Sequence, residues 1–139
     1  MIEPSGASTR AQGTPDPALI AAFEALRQAF RSGQTSPLTP LFSPNGKIFL
    51  SVKIIAAESG FYSRDQIESL LKQAFAATKT IKFDVNIDLD PDRAEDQGVV
   101  SCPAAWSYVN KGVRSEISLR FLLARQQGRW LLSEIRESR

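Results

Sequence analysis

Apolar residues recur every three or four positions in two stretches of the chain, which predicts two amphipathic helices. The first helix begins at Asp16, a good N-cap that is followed by proline, and it ends near Gly33. The second begins at Ser63, because Gln66 three positions later completes a capping box. The apolar faces of the two helices comprise Leu19, Phe23, Leu26 and Phe30, and Ile67, Leu70, Leu71, Ala74 and Phe75.

After the second helix the apolar positions alternate with polar ones, and this period of two is typical of β-strands. The clearest case is a strand whose buried face comprises Ile81, Phe83, Val85, Ile87 and Leu89. Further strands, with turns between them, are predicted at 99–109, 113–123 and 130–136. Between the helices, 37–42 predicts a helical turn or two and 47–52 predicts a strand. Helices followed by a run of antiparallel strands indicate the α+β class.

The turn at 110–112 permits two hairpin registers. A three-residue loop with a glycine bulge sets Trp106 opposite Glu116, whereas a two-residue loop sets Trp106 opposite Ile117. A slip of one residue moves every side chain of a strand to the other face of the sheet. We favour the two-residue loop, because it collects the apolar residues on one face.

The first fifteen residues differ in composition from the rest of the chain. Residues 1–15 are rich in Pro, Gly, Ser and Thr, so we expect a flexible tail, followed by one domain at 16–139. The tail lacks the basic start and apolar core of a signal peptide. We therefore expect a cytoplasmic protein if Met1 is native, and an exported one if a signal peptide has been removed.

The composition excludes several classes of chemistry. The chain has no histidine and one cysteine, which excludes Ser-His-Asp and Cys-His catalysis, intramolecular disulfides, and zinc sites built from histidine or cysteine clusters. The net charge is only +2, and we expect no nucleic-acid partner. No stretch approaches the roughly 18 apolar residues of a membrane helix, so we expect no membrane span. We expect no cofactor.

An acidic loop at 88–96 begins with aspartates at alternate positions, as calcium loops do. Arg93 occupies the sixth position, where the tight turn needs glycine. Val99 occupies the twelfth position, where a bidentate glutamate belongs. We therefore interpret the segment as a solvated loop and expect no metal site.

Residues spread along the chain carry a resemblance to a known superfamily. They are the segment 60–66 at the entry to the second helix, and then Phe75, Phe83, Tyr108, Ile117, Leu119, Phe121, Trp130 and Ile135. With them, about residues 16–137 resemble the nuclear-transport-factor-2-like superfamily, and most closely its small bacterial members without an assigned function. The resemblance implies a cone-like, bent antiparallel sheet wrapped around two to three N-terminal helices.

The resemblance also implies an interior apolar pocket, and the leading hypothesis is a non-catalytic domain whose pocket either binds a small apolar molecule or is merely vestigial. Trp106 and Tyr108 would suit an apolar or planar ligand, although such aromatic residues also fill cores. Cys102 is interpreted as a buried structural thiol rather than a nucleophile. The candidate pocket residues are Phe61, Tyr62, Phe75, Phe83, Cys102, Trp106, Tyr108, Ile117 and Leu119.

Two alternatives remain open. The first is a homodimer that pairs through the outer face of the sheet, where the side chains are small at Ser101, Ala105, Ser107 and Ser118. The second is a cofactor-independent lyase or isomerase that uses a carboxylate with Tyr62 or Tyr108, since enzymes of the superfamily use an aspartate base. The candidate bases Asp65, Asp84 and Glu116 fall at positions typical of solvated carboxylates.

Overall fold

Two α-helices and one 3-10 helix lie in the described part of this computed structural model, which covers residues 16–87 and 98–138. They are α1 (Pro17–Ser32), the 3-10 helix (Ser36–Leu41) and α2 (Arg64–Ala77). The Asp16 carboxylate caps α1 by accepting from Ala18 N at 2.9 Å, and the reciprocal capping box of Ser63 and Gln66 opens α2. Both predicted helices are confirmed. The expected tail at 1–15 and the acidic loop at 88–96, with the inward position predicted for Leu89, lie outside the described residues.

Six strands form one curved, unclosed sheet in the described residues, in the order β2-β1-β6-β5-β4-β3. The α+β cone expected from the resemblance is thereby confirmed. The sheet is mixed, because β1 runs parallel to β6 while the other neighbouring pairs are antiparallel. The strands are β1 (Lys47–Ser51), β2 (Gly60–Ser63), β3 (Thr78–Val85), β4 (Val99–Asn110), β5 (Val113–Gln126) and β6 (Arg129–Ser138).

The hairpin of β4 and β5 has the register that the apolar pattern favoured. Trp106 lies opposite Ile117. Lys111 and Gly112 form the two-residue loop with positive φ angles of 52° and 78°. Two consecutive residues of positive φ match the right-handed twist of the flanking strands, which is why such loops are preferred in tight hairpins.

The predicted alternation fails at one position of β3. Ile81, expected on the buried face, is 45% exposed. The register shifts between Thr80, which pairs with Tyr108, and Lys82, which pairs with Ser107. Ile81 is the extra residue of this bulge and has no partner on β4, so the inward phase passes from Thr80 to Phe83.

The core is centred on the ring of Phe30, which comes from the last turn of α1 and is fully buried. Its centroid lies 5.1 Å from that of Phe75, 4.7 Å from Phe83, 5.1 Å from Trp106 and 5.4 Å from Phe121. These four contacts join α1 to α2, β3, β4 and β5. The rings therefore fill the concave side of the sheet around Phe30 with edge-to-face and stacked contacts.

Candidate functional site

The candidate pocket residues lie mostly on the inner face of the sheet, meaning the side that packs against the helices. Tyr62 and Ile117 are half-buried and pack against the core. The fully or nearly fully buried members are Phe75, Phe83, Cys102, Trp106, Tyr108 and Leu119. These residues pack into the core around Phe30, and their role in lining a ligand cavity stays a prediction.

Phe61 lies on the opposite, outer face of the sheet, which corrects its assignment to the interior. Its side chain is 67% exposed, and its ring centroid lies 5.3 Å from that of Phe49. The sequence predicts that Phe61 lies in the approach to the second helix, but residues 60–63 form strand β2. Because side chains alternate along a strand, the inward position belongs to Tyr62, which pairs with the buried Ile48.

The indole nitrogen of Trp106 already has a partner within the protein. Its Nε1 donates to Thr80 Oγ1 at 2.9 Å, and the Thr80 hydroxyl donates to Phe30 O at 2.8 Å. Trp106 is fully buried, so this chain of bonds removes the cost of an unpaired polar atom in the core. The N–H of Trp106 is therefore already used within the core and is not free to orient a ligand.

Cys102 is fully buried on β4 opposite Phe121. This burial supports the interpretation of a structural thiol, because a reactive cysteine needs solvent access.

The inner face becomes accessible toward one end of β5. Leu119, Phe121 and Leu123 are at most 1% exposed, whereas Ser115 and Ile117 are half-buried. Ser115 lies opposite Tyr108 on β4, and Tyr108 is hydrogen-bonded to Ser115.

Glu137 is an inward carboxylate that the sequence analysis missed. It pairs with the buried Leu119 and lies two residues after the buried Ile135, so it continues the inward phase of β6. Its Oε1 accepts a hydrogen bond from Lys53 N at 3.3 Å. The sequence predicts that the last strand ends at 136, whereas β6 continues to Ser138. Extending the predicted alternation by one residue would have identified Glu137 as an inward position. We call Tyr108, Ser115, Ile117 and Glu137 the mouth residues.

The charge of Glu137 reaches the Tyr108 hydroxyl. Burial raises the pKa of Tyr108 above its usual value, and the nearby Glu137 carboxylate raises this pKa further, while the hydrogen bond to Ser115 lowers it. The phenol therefore stays protonated at neutral pH and can donate or accept a hydrogen bond at the mouth.

The three carboxylates considered as general bases face solvent. Asp84 pairs with Arg31 at 3.6 Å and with Lys82 at 3.4 Å, Asp65 lies 3.7 Å from Arg64, and Glu116 is exposed. Their prediction as surface groups is confirmed.

The described residues were compared with the requirements of two other kinds of function, metal binding and membrane spanning. Within 16–87 and 98–138, no group of three or more His, Cys, Asp or Glu side chains is placed to hold a metal ion. None of the described helices is long and apolar enough to cross a membrane.

The chain is similar to known proteins in its structure but not in its sequence. No family model matches the chain, and no curated protein matches it. A DUF4783 family protein from Bacteroides uniformis matches with a TM-score of 0.65 and 17% identity, over 84% of this chain and 94% of that one.

Two further solved structures show the same architecture. An NTF2-like designed protein with a long sheet has a TM-score of 0.59 and 16% identity, over 87% of this chain and 99% of that one. A protein from Rhodopseudomonas palustris, provisionally assigned as an isomerase, has a TM-score of 0.62 and 14% identity, over 88% of each chain. The expected resemblance is confirmed, and the chain has the nuclear-transport-factor-2-like fold.

Proposed function

We propose that this domain binds a small, largely apolar molecule on the inner face of the sheet, at the mouth residues. The observation that carries the proposal is the change in burial along β5, from the closed core at Leu119 to the half-buried Ile117 and Ser115. Small-molecule sites are typically apolar surfaces with a few convergent polar groups. Tyr108, Ser115 and Glu137 supply such groups beside the rings of the core.

The electrostatics of Tyr108 support the same location. Titratable groups with shifted pKa values concentrate at functional sites, and the raised pKa of Tyr108 follows from its burial and from Glu137. The alternative of a lyase or isomerase now depends on Glu137 as the base, since Asp65, Asp84 and Glu116 face solvent. We favour binding over catalysis, because binding requires only that Glu137 and Tyr108 orient a ligand, whereas catalysis also requires that Glu137 act as a base.

Titration of isotope-labelled protein with naphthalen-2-ylmethanol, followed by amide chemical shifts, tests the proposal. We expect the shifts to concentrate at residues 108, 115, 117 and 137. Ile117→Asn should weaken binding, because it makes the apolar floor of the mouth polar, whereas the matched Ser118→Asn on the outer face should bind as the native protein does. Absence of binding, or shifts confined to the outer face, would overturn the proposal.

A second candidate function is self-association through the outer face, and the pattern of charge along β5 favours it. Glu116 and Arg120 are exposed on the outer face, two residues on either side of Ser118. In a face-to-face dimer whose two-fold axis crosses β5 at Ser118, Glu116 of each copy would lie opposite Arg120 of the other. We propose a homodimer with this pair of reciprocal contacts, in which the small Ser118 lets the two sheets approach.

Charge reversal tests the dimer. Sedimentation measurements should show dimers for the native chain and mostly monomers for Glu116→Arg, because like charges then face each other across the axis. Arg120→Glu should behave alike, and the double exchange of both residues should restore the dimer. A native monomer, or a double variant no better than the single ones, would contradict this register.

A further inference from the structure

Glu137 has a feature that narrows the chemistry of a ligand at the mouth: its carboxylate has no cationic partner among residues 16–87 and 98–138. Its hydrogen bond is with the backbone nitrogen of Lys53 at 3.3 Å. The ion pairs in these residues involve other carboxylates, including Glu134, whose Oε2 lies 2.8 Å from Arg136 Nε on the outer face.

The inward residues of β5 next to Glu137 are apolar. Leu119 lies directly opposite it on β5, and Ile117 is the next inward residue of that strand. The Glu137 carboxylate also raises the pKa of the Tyr108 hydroxyl. A half-buried negative charge next to apolar side chains is an environment that favours a cation with a hydrocarbon body.

We infer that the ligand of this site is a small apolar amine, whose ammonium group is held by Glu137 and whose hydrocarbon body rests on the half-buried Ile117. This inference depends on the proposed function and gives its ligand a chemical class. An ammonium group supplies the positive charge that the described part of the protein does not place beside Glu137. A neutral alcohol of the same shape lacks that charge, and a carboxylate would be repelled.

Three probes with one hydrocarbon body separate these cases: naphthalen-2-ylmethylamine, naphthalen-2-ylmethanol and 2-naphthoate. At neutral pH the full chain should bind the amine roughly tenfold more tightly than the alcohol, a preference that allows for the partial exposure of Glu137. The carboxylate should bind most weakly. Calorimetry gives the affinities, and amide shifts at residues 108, 115 and 117 confirm the place of binding.

Variants of Glu137 test whether its charge causes the preference. Glu137→Gln should lose the preference for the amine over the alcohol, while Glu137→Asp should keep part of this preference. Glu134→Gln, the matched change on the outer face, should leave the preference intact. Equal affinities for amine and alcohol in the native chain, or an amine preference that survives in Glu137→Gln, would overturn the inference and leave the proposed function standing. Failure of all three probes to bind would overturn both.

Discussion

Trp106 and Thr80 form the polar link at the centre of an otherwise apolar core: the indole Nε1 donates to the threonine hydroxyl at 2.9 Å. Thr80 in turn donates to the carbonyl oxygen of Phe30 at 2.8 Å. The two bonds connect β4, the bulge in β3 and the last turn of α1. The bulge thus brings a threonine to the place where the buried indole needs an acceptor.

Replacing Thr80 by valine should destabilise the fold by about 1–3 kcal/mol, because the buried Trp106 nitrogen and the Phe30 carbonyl oxygen both lose their partner. Thr80→Ser keeps the hydroxyl and should cost less. Chemical denaturation measures both, and Ile81→Ala at the neighbouring exposed position is the control. A valine variant as stable as the native protein would show that the hydrogen-bond chain is not needed.

Removal of the central rings should have a larger effect. Trp106→Ala, Phe30→Ala and Phe75→Ala should each lower the free energy of unfolding by about 3–5 kcal/mol, because each leaves a cavity among the packed rings. Phe61→Ala, which removes an exposed ring from the outer face, should change it by less than about 1 kcal/mol. Denaturant titrations of the four variants check this order. A loss below about 1 kcal/mol for Trp106→Ala would contradict its position in the core.

Asp16 should make the fold sensitive to acid. The Trp130 indole, which donates to Asp16 Oδ2 at 3.0 Å, holds the pKa of this carboxyl below its usual value, together with Ala18 N and the charge of Arg125. A lowered pKa stabilises the folded state above the pKa of the unfolded chain, and this contribution is lost as the pH falls through the folded-state pKa. Asp16→Asn keeps the helix cap and should reduce the loss of stability below about pH 4.

Thermal unfolding of native and Asp16→Asn protein between neutral and acid pH measures this effect. The difference between the two should shrink as the pH falls, and Trp130→Phe, which removes the donor, should weaken the acid dependence in the same way. A difference that does not vary with pH would mean that the charge of Asp16 contributes nothing to stability.

Tyr108 should act at the opposite end of the pH range. Its pKa is raised by burial and then by the Glu137 carboxylate, so the folded state favours the neutral phenol. This contribution is fully present below the pKa of an unfolded tyrosine, near pH 10, and is lost as the pH rises through the folded-state pKa. Tyr108→Phe should therefore flatten the decline in stability above about pH 10.

Phenolate absorbance reports the same group directly. The titration of Tyr108, isolated as the difference between native and Tyr108→Phe protein, should move to lower pH in Glu137→Gln, because the repulsion between phenolate and carboxylate is gone. Glu134→Gln on the outer face should leave it in place. An unchanged titration of Tyr108 in Glu137→Gln would show that the charge of Glu137 does not affect the Tyr108 hydroxyl.

Local patterns were sufficient for the parts of the fold that neighbouring residues determine. The capping box of Ser63 and Gln66 depends on residues three positions apart, and it marks the start of α2 as predicted. The register that sets Trp106 opposite Ile117 follows from the two-residue loop and from the need to keep apolar side chains on one face. The same phase predicted the inward positions of Trp106 and Tyr108.

Long-range contacts decided the rest. Alternation along a single strand assumes an unbroken ladder, and the bulge at Ile81 breaks it where Thr80 bonds to α1. Patterns within single segments were enough to predict the helices, the hairpin and the fold class. The pairing of β2 with β1 turned Phe61 outward, and the assembled sheet placed Glu137 where its charge acts on Tyr108. These positions depend on which distant strands become neighbours, and that choice is made by packing over the whole chain and not by the order of residues within a segment.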